Sequence, residues 1–354
     1  MKKNLLHAIS LALCLTVLFT TVCGCSQKSK TPSKETSSQA SDTVDEDSKN
    51  TPVDITLNEV AHSIFYAPMY VAIEQGYFEE EGINLTLVTG FGADKTMTAV
   101  LSGEADIGFM GPETTVYTYN EGSADYVVNF AQLTQRAGNF LVAREEMPDF
   151  SWSDLCGKEV LGGRKGGMPE MVFEYILRQN KIDPAADLSI DQSIDFGSTA
   201  AAFSGGKGDF SVEFEPGATA LETEGAGYVV ASLGIDSGYV PYTAFSAKSS
   251  YLEKNPDVIQ KFTNALQKGM DYTLSHSPEE IAEVIAPQFK ETDMETLTSI
   301  VARYHQQDTW KENLIFEESS FTLLLDILSE SGELTKRPEW EKLVDTSFAE
   351  KAAK

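Results

Sequence analysis

The residues of this 354-residue chain best suited to chemistry gather in short loops, each following an apolar or alternating stretch and leading into a helix-like one. The first is Ala61-His62-Ser63-Ile64-Phe65-Tyr66-Ala67-Pro68, the second Gly90-Phe91-Gly92-Ala93-Asp94, the third Gly111-Pro112-Glu113. Farther along come Gly163-Arg164-Lys165-Gly166-Gly167-Met168, Phe196-Gly197-Ser198-Thr199 and Glu213-Phe214-Glu215-Pro216. Glycine lets a backbone approach a guest closely, hydroxyls and carboxylates fix its polar atoms, and aromatic rings stack on flat ones. Free N–H groups at the helix starts add donors. The candidate contacts are therefore His62, Ser63, Tyr66, Phe91, Gly92, Phe109, Gly111, Glu113, Arg164, Gly166, Gly167, Met168, Ser198, Glu213, Phe214 and Glu215. Each has a plainer role to weigh against contact. His62 could cap the first helix, and Tyr66, Phe91 and Phe109 could be core. Glu113 and Glu215 stand at helix starts, where the dipole favours a carboxylate anyway. Arg164 and Lys165 could be solvated.

Bond-making chemistry finds little material. There is no His-Glu-x-x-His, no Gly-x-Ser-x-Gly and no phosphate loop. Gly90-Phe91-Gly92 follows a strand pattern, but Lys95 stands where a dinucleotide fingerprint needs glycine. The four histidines include His7 near the start and His276 and His305 in a helical region, too dispersed for a triad or zinc site. Cys156 is the one thiol in the body of the chain, which excludes an internal disulfide and a cysteine cluster there. No catalytic residue, metal or cofactor is expected. A net charge of −27 repels nucleic acid.

The elements that must position these loops alternate. Strand-like runs at 53–60, 83–89 and 105–110 are followed by helix-like runs at 66–75 and 95–101 and by one opening at Pro112 and closing at Gly122. The pattern resumes with strands at 158–162, 188–194 and 210–214 and a helix at 169–179. Such alternation predicts parallel sheets with helices on their faces, and ligands in such sheets sit beyond the carboxyl ends of the strands. An internal match ties the halves together. Leu101-Ser102-Gly103 with Asp106 and Pro112 parallels Phe203-Ser204-Gly205 with Asp209 and Pro216, and the following helices close at Glu121-Gly122 and Glu224-Gly225. Two lobes of one architecture follow. The last third is helical, with Asn255 as the expected N-cap of 256–274 and Ser277-Pro278-Glu279-Glu280 as a capping box. At the other end, Lys2 and Lys3, an apolar run at 5–19 and small residues before Cys25 form an export-signal pattern. Residues 26–52, rich in Ser, Thr, Lys, Asp and Glu, predict a tether.

Two resemblances sharpen this reading. Cys23-Gly24-Cys25 resembles the lipobox of bacterial lipoproteins, which implies a signal peptide over 1–24, a lipidated Cys25 and a tether to residue 52. Ala67-Pro68 with Val71-Ala72-Ile73-Glu74-Gln75-Gly76-Tyr77-Phe78-Glu79-Glu80-Glu81-Gly82-Ile83, then Leu101 to Asp106, Asp154-Leu155-Cys156-Gly157-Lys158, Glu215-Pro216 and Tyr251-Leu252-Glu253-Lys254-Asn255-Pro256 resemble the ABC-importer solute-binding proteins for nitrate, sulfonate, taurine and thiamine-precursor pyrimidines. That resemblance implies an α/β periplasmic-binding-protein-like fold. Residues 53–137 and 245–354 would form the first lobe and 138–244 the second, with crossings near 135–141 and 240–247 and the C-terminal helices packed on the first lobe. Arg136, near a crossing, would suit an inter-lobe ion pair. The resemblance further implies a monomer outside the cytoplasm, held on the cell membrane by its lipid, that passes a small molecule to an ABC permease and its ATPase. The acidic and aromatic loops favour a flat, pyrimidine-like nitrogen heterocycle over a sulfonate, taurine or nitrate anion. The alternatives are such an anion, a surface sensor, or a secreted pyrimidine-processing enzyme on the same scaffold. The cysteine-rich motif of enzymatic relatives is not found here.

Overall fold

The computed structural model describes residues 51–194 and 196–354. The expected export signal, Cys25 and most of the expected tether lie outside the described residues. Two five-stranded sheets organise the chain. The first contains β1 (Val53–Glu59), β2 (Ile83–Thr89), β3 (Ile107–Met110) and β4 (Val127–Thr134). The second contains β5 (Asn139–Ala143), β6 (Glu159–Leu161), β7 (Ser189–Asp191), β8 (Phe210–Phe214) and β9 (Tyr228–Ser232), and β10 (Thr243–Lys248) returns to the first. The orders are β2-β1-β3-β10-β4 and β7-β6-β8-β5-β9. They are the same order, each with one strand carried in from the other lobe's side of the chain.

That imported strand changes the expected parallel sheet into a mixed one. β10 runs antiparallel to β3 and β4, and β5 antiparallel to β8 and β9. A strand entering directly from the other lobe has no crossover helix to reverse it, so it pairs antiparallel. The internal match has a common physical basis. Asp106 accepts the Thr56 N–H through its carboxylate at 2.9 Å while its own N–H donates to the Thr56 carbonyl. Asp209 does the same to Glu159, at 2.9 Å and 2.8 Å. Each aspartate thus fastens the start of its central strand to the first strand of its sheet.

Helices cover the sheet faces. The longest, Pro256–Ser275, packs on Ala67–Glu74 so closely that a Cβ on Gly269 would fall 2.3 Å from the Pro68 carbonyl. Asn255 does not cap this helix: its side-chain N–H₂ turns back to the Tyr251 carbonyl, because residues 249–254 already form a helical turn. The capping box at Ser277 is formed, with Glu280 reciprocating. β7 keeps only three residues of the longer run expected. Two crossings join the lobes, one between β4 and β5 and one between the short helix Leu233–Asp236 and β10. No helix among the described residues is long and apolar enough to cross a membrane.

Candidate ligand-binding site

The loops at the carboxyl ends of β1, β3, β6 and β8 carry the candidate side chains. β1 ends at Glu59, which is fully buried. Its carboxylate accepts from the hydroxyls of Tyr70 at 2.5 Å and Thr89 at 2.8 Å, and from His62 Nδ1 at 2.9 Å. The other ring nitrogen of His62 faces the Gln288 carbonyl at 2.9 Å, and the ring stacks on Phe289. With acceptors at both nitrogens the imidazolium is favoured. The hydrogen bond to Glu59 raises the His62 pKa against the opposing effect of burial. His62 therefore joins the first loop to the C-terminal helices. Ser63 turns the chain, its hydroxyl accepting from the Phe65 N–H, and so places Phe65 and Tyr66 under the second lobe.

After β3, Gly111 makes room for Glu113: a Cβ there would lie 2.1 Å from a Glu113 carboxylate oxygen. Glu113 opens the helix Glu113–Asn120 and is 2% exposed. Burial pushes its carboxyl up to about 7, opposed by the backbone N–H groups of Glu113 itself and of Met168. Met168 is the first residue of the helix Met168–Gln179, in the second lobe. The Glu113 carboxylate thus stands across the lobe boundary, against the positive end of the opposing helix. Its Oε2 has no hydrogen-bond partner.

The loop before Met168 reaches back. The Tyr117 hydroxyl donates to the Gly166 carbonyl at 3.0 Å, and Arg164 pairs with Asp94 at 2.9 Å on the exposed rim. The Gly166 N–H donates to Glu170, whose carboxyl is pushed up to about 8 by burial and then by Glu174. At the end of β8, burial pushes Glu213 up to about 7, opposed by the hydroxyls of Ser211 and Thr199. Glu215, 3% exposed, pairs with Arg303 at 2.6 Å, and Arg303 also holds Glu222 at 2.8 Å. Arg303 comes from the helix Met294–Gln306, so this partly buried ion pair ties the end of β8 to the C-terminal helices. The role expected of Arg136 is not formed. Its guanidinium donates to the Gly234 carbonyl and lies over the Tyr239 ring, because the local crossing offers a carbonyl and an aromatic face.

Rings from both lobes and from a crossing fill the junction. Phe65 lies 5.6 Å from Tyr242, 5.2 Å from Tyr304 and 6.4 Å from Phe214. Tyr66 and Tyr242 are both close enough to Glu113 for its charge to raise their hydroxyl pKa, after the larger effect of burial. Of the residues singled out by sequence, Tyr66, Gly111, Glu113, Met168, Phe214 and Glu215 meet here. Gly166 and Gly167 form the loop above. Phe109 lies one layer behind, stacked on Phe245 at 4.2 Å with Tyr66 above it. Phe91 is 75% exposed at φ +57° beside Gly92, and Ser198 is exposed; both sit away from the junction's core. Glu213 is held inside the second lobe. Glu59, Tyr242, Tyr304 and Arg303 were not foreseen. A glutamate ending a strand and an arginine on a helix look like solvated charges until burial is known. Among the described residues no group of three or more His, Cys, Asp or Glu could hold a metal ion.

Three comparisons bear on this site. A profile of the NMT1/THI5-like family matches residues 64–281. YtlA of Bacillus subtilis (strain 168), a provisionally named binding protein, is 46% identical over 84% of this chain and 89% of its own. The riboflavin-binding protein RibY of Chloroflexus aurantiacus is 23% identical, over 78% of this chain and 76% of its own. Among solved structures, the alkanesulfonate-binding protein SsuA of Xanthomonas axonopodis pv. citri, bound to MOPS, superposes with a TM-score of 0.68. It is 15% identical and covers 84% of this chain and 99% of its own, a likeness of fold.

Proposed function

Because the chain belongs to the NMT1/THI5-like family, we propose that it is an extracytoplasmic solute-binding protein of the ABC-import type, held at the cell membrane through a lipid on Cys25. It captures a small molecule between its lobes and passes it, unchanged, to a permease and its ATPase. The ligand is a flat nitrogen heterocycle with N–H donors, of the pyrimidine kind. The observation that carries this is the buried Glu113 carboxylate, one oxygen unpartnered, among rings contributed by both lobes. A buried acceptor without a partner costs about 1–3 kcal/mol, which a ligand N–H recovers. Rings on several sides offer stacking faces. A bare sulfonate or nitrate would meet Glu113 and Glu215, while Arg303 and Arg164 are already committed to carboxylates. The heterocycle in the name of RibY supports the same class.

Calorimetry of the full-length protein with 4-aminopyrimidines, riboflavin, taurine and nitrate tests this. Binding of a heterocycle near pH 7 is expected to release protons, because a donor on Glu113 lowers its raised pKa. Binding confined to taurine or nitrate overturns the heterocycle assignment. Conversion of a bound compound to product overturns the transport role.

A further inference from the structure

A cavity of about 530 Å³ lies behind the two crossings, away from the junction described above. Gln135 of the first crossing, Tyr239 of the second and the C-terminal segment around Lys311 all line it. We propose that this cavity is a second binding site, built for a small zwitterion with a carboxylate and an ammonium group, an amino acid.

Lys311 is the reason. It is 8% exposed, and among the described residues its ammonium has neither a hydrogen bond nor an ion pair. Its backbone is fixed by its N–H to the Leu133 carbonyl, beside the bridge joining Trp310 to Thr134 of β4. The stem of Lys311 is buried while its ammonium still reaches solvent, so an anion can meet it there, and burial lowers its pKa against the distant pull of Glu317. Gln132 supplies the complementary need, an acceptor that lacks a donor. It is 1% exposed, lines the cavity and spends its N–H₂ on the Thr134 carbonyl, leaving Oε1 without a partner. The cavity's other charges are the exposed carboxylates of Asp308, Glu312 and Glu317. The lysine is thus a buried residue of the wall and the acids are exposed ones. A ligand carboxylate would meet Lys311 and its ammonium the Gln132 Oε1, with Glu317 and Asp308, which already accepts the Tyr239 hydroxyl, adding negative charge around the ammonium. A simple anion satisfies only the first contact, and a simple cation only the second.

The test uses the full-length chain with each of the twenty standard amino acids, and with acetate and methylamine as half-ligand controls. Binding is read by calorimetry and by protection of Lys311 from an amine-reactive reagent, located by mass spectrometry. At least one amino acid is expected to bind and to protect Lys311. Its affinity should fall at least tenfold in Lys311→Met and be unchanged in Glu113→Gln, which alters the junction alone. Gln132→Leu, which keeps the lysine, should also weaken it. The proposal is overturned if no amino acid binds, if binding survives Lys311→Met, if Glu113→Gln abolishes it, or if acetate binds as well as the amino acid.

Discussion

Replacing Glu113 by glutamine should stabilise the ligand-free protein, by an amount that grows between pH 4.5 and about 7. The carboxyl is raised from 4.5 to about 7 because its charge is buried, with two backbone N–H groups as partial compensation. Between those pH values the folded chain holds a proton that the unfolded chain has lost. Stability therefore falls as pH rises through this window and levels off above about 7. A shift of about 2.5 units at 1.36 kcal/mol each gives a full penalty of ~3 kcal/mol. At roughly 2 °C per kcal/mol for a chain of this size, Glu113→Gln should gain ~6 °C in Tm at pH 8 and only ~2 °C at pH 5. Glu170 and Glu213 are raised too, but they are present in both proteins and cancel in the difference. Thermal unfolding of both proteins at half-unit steps from pH 5 to 8 is the assay. An equal offset at all pH values, or a less stable variant at pH 8, would show that Glu113 carries no burial penalty and would remove the physical ground for a ligand donor at Oε2.

Three other perturbations have defined outcomes. Arg303→Met leaves Glu215 buried without its counter-ion and should cost ~3 kcal/mol in urea unfolding; adding Glu215→Gln should recover most of it. Gly138→Ala puts a Cβ 2.6 Å from the Phe65 ring, at the crossing whose carbonyl receives the Tyr304 hydroxyl. It should lose about 1–3 kcal/mol of stability, measured by denaturant titration, and at least tenfold in ligand affinity as the ring is pushed out of place. Asp106→Ala and Asp209→Ala should each cost about 1 kcal/mol and match within error, since each removes the same strand clamp from its own lobe; a severalfold difference would break the equivalence of the halves.

The elements legible in sequence were those with one face in water. β1 and β2 alternate, and the helices Met168–Gln179 and Pro256–Ser275 carry apolar stripes, because a half-buried element must sort its residues by side. The repeated Ser-Gly-to-Asp segment was visible for a similar reason: its glycine, aspartate and proline each answer a local backbone demand. β4 and β5 show no alternation, since all eight and all five of their residues are buried. A fully buried strand has no wet face to mark, so both strands emerged only from the fold, as did the antiparallel pairing of β5 and β10 that makes the sheets mixed.

The site divides along the same line. Sequence alone could pick Tyr66, Glu113, Phe214 and Glu215, because they sit in loops between a strand and a helix start, where backbone groups are free. It could not tell Glu113, shut in across from Met168, from a solvated carboxylate, nor find Glu59, Tyr242 and Arg303. Burial and partnership between residues 88 positions apart, as with Arg303 and Glu215, depend on how two lobes meet. Local pattern encodes which face of an element is apolar; only the closed chain decides which charges lose their water.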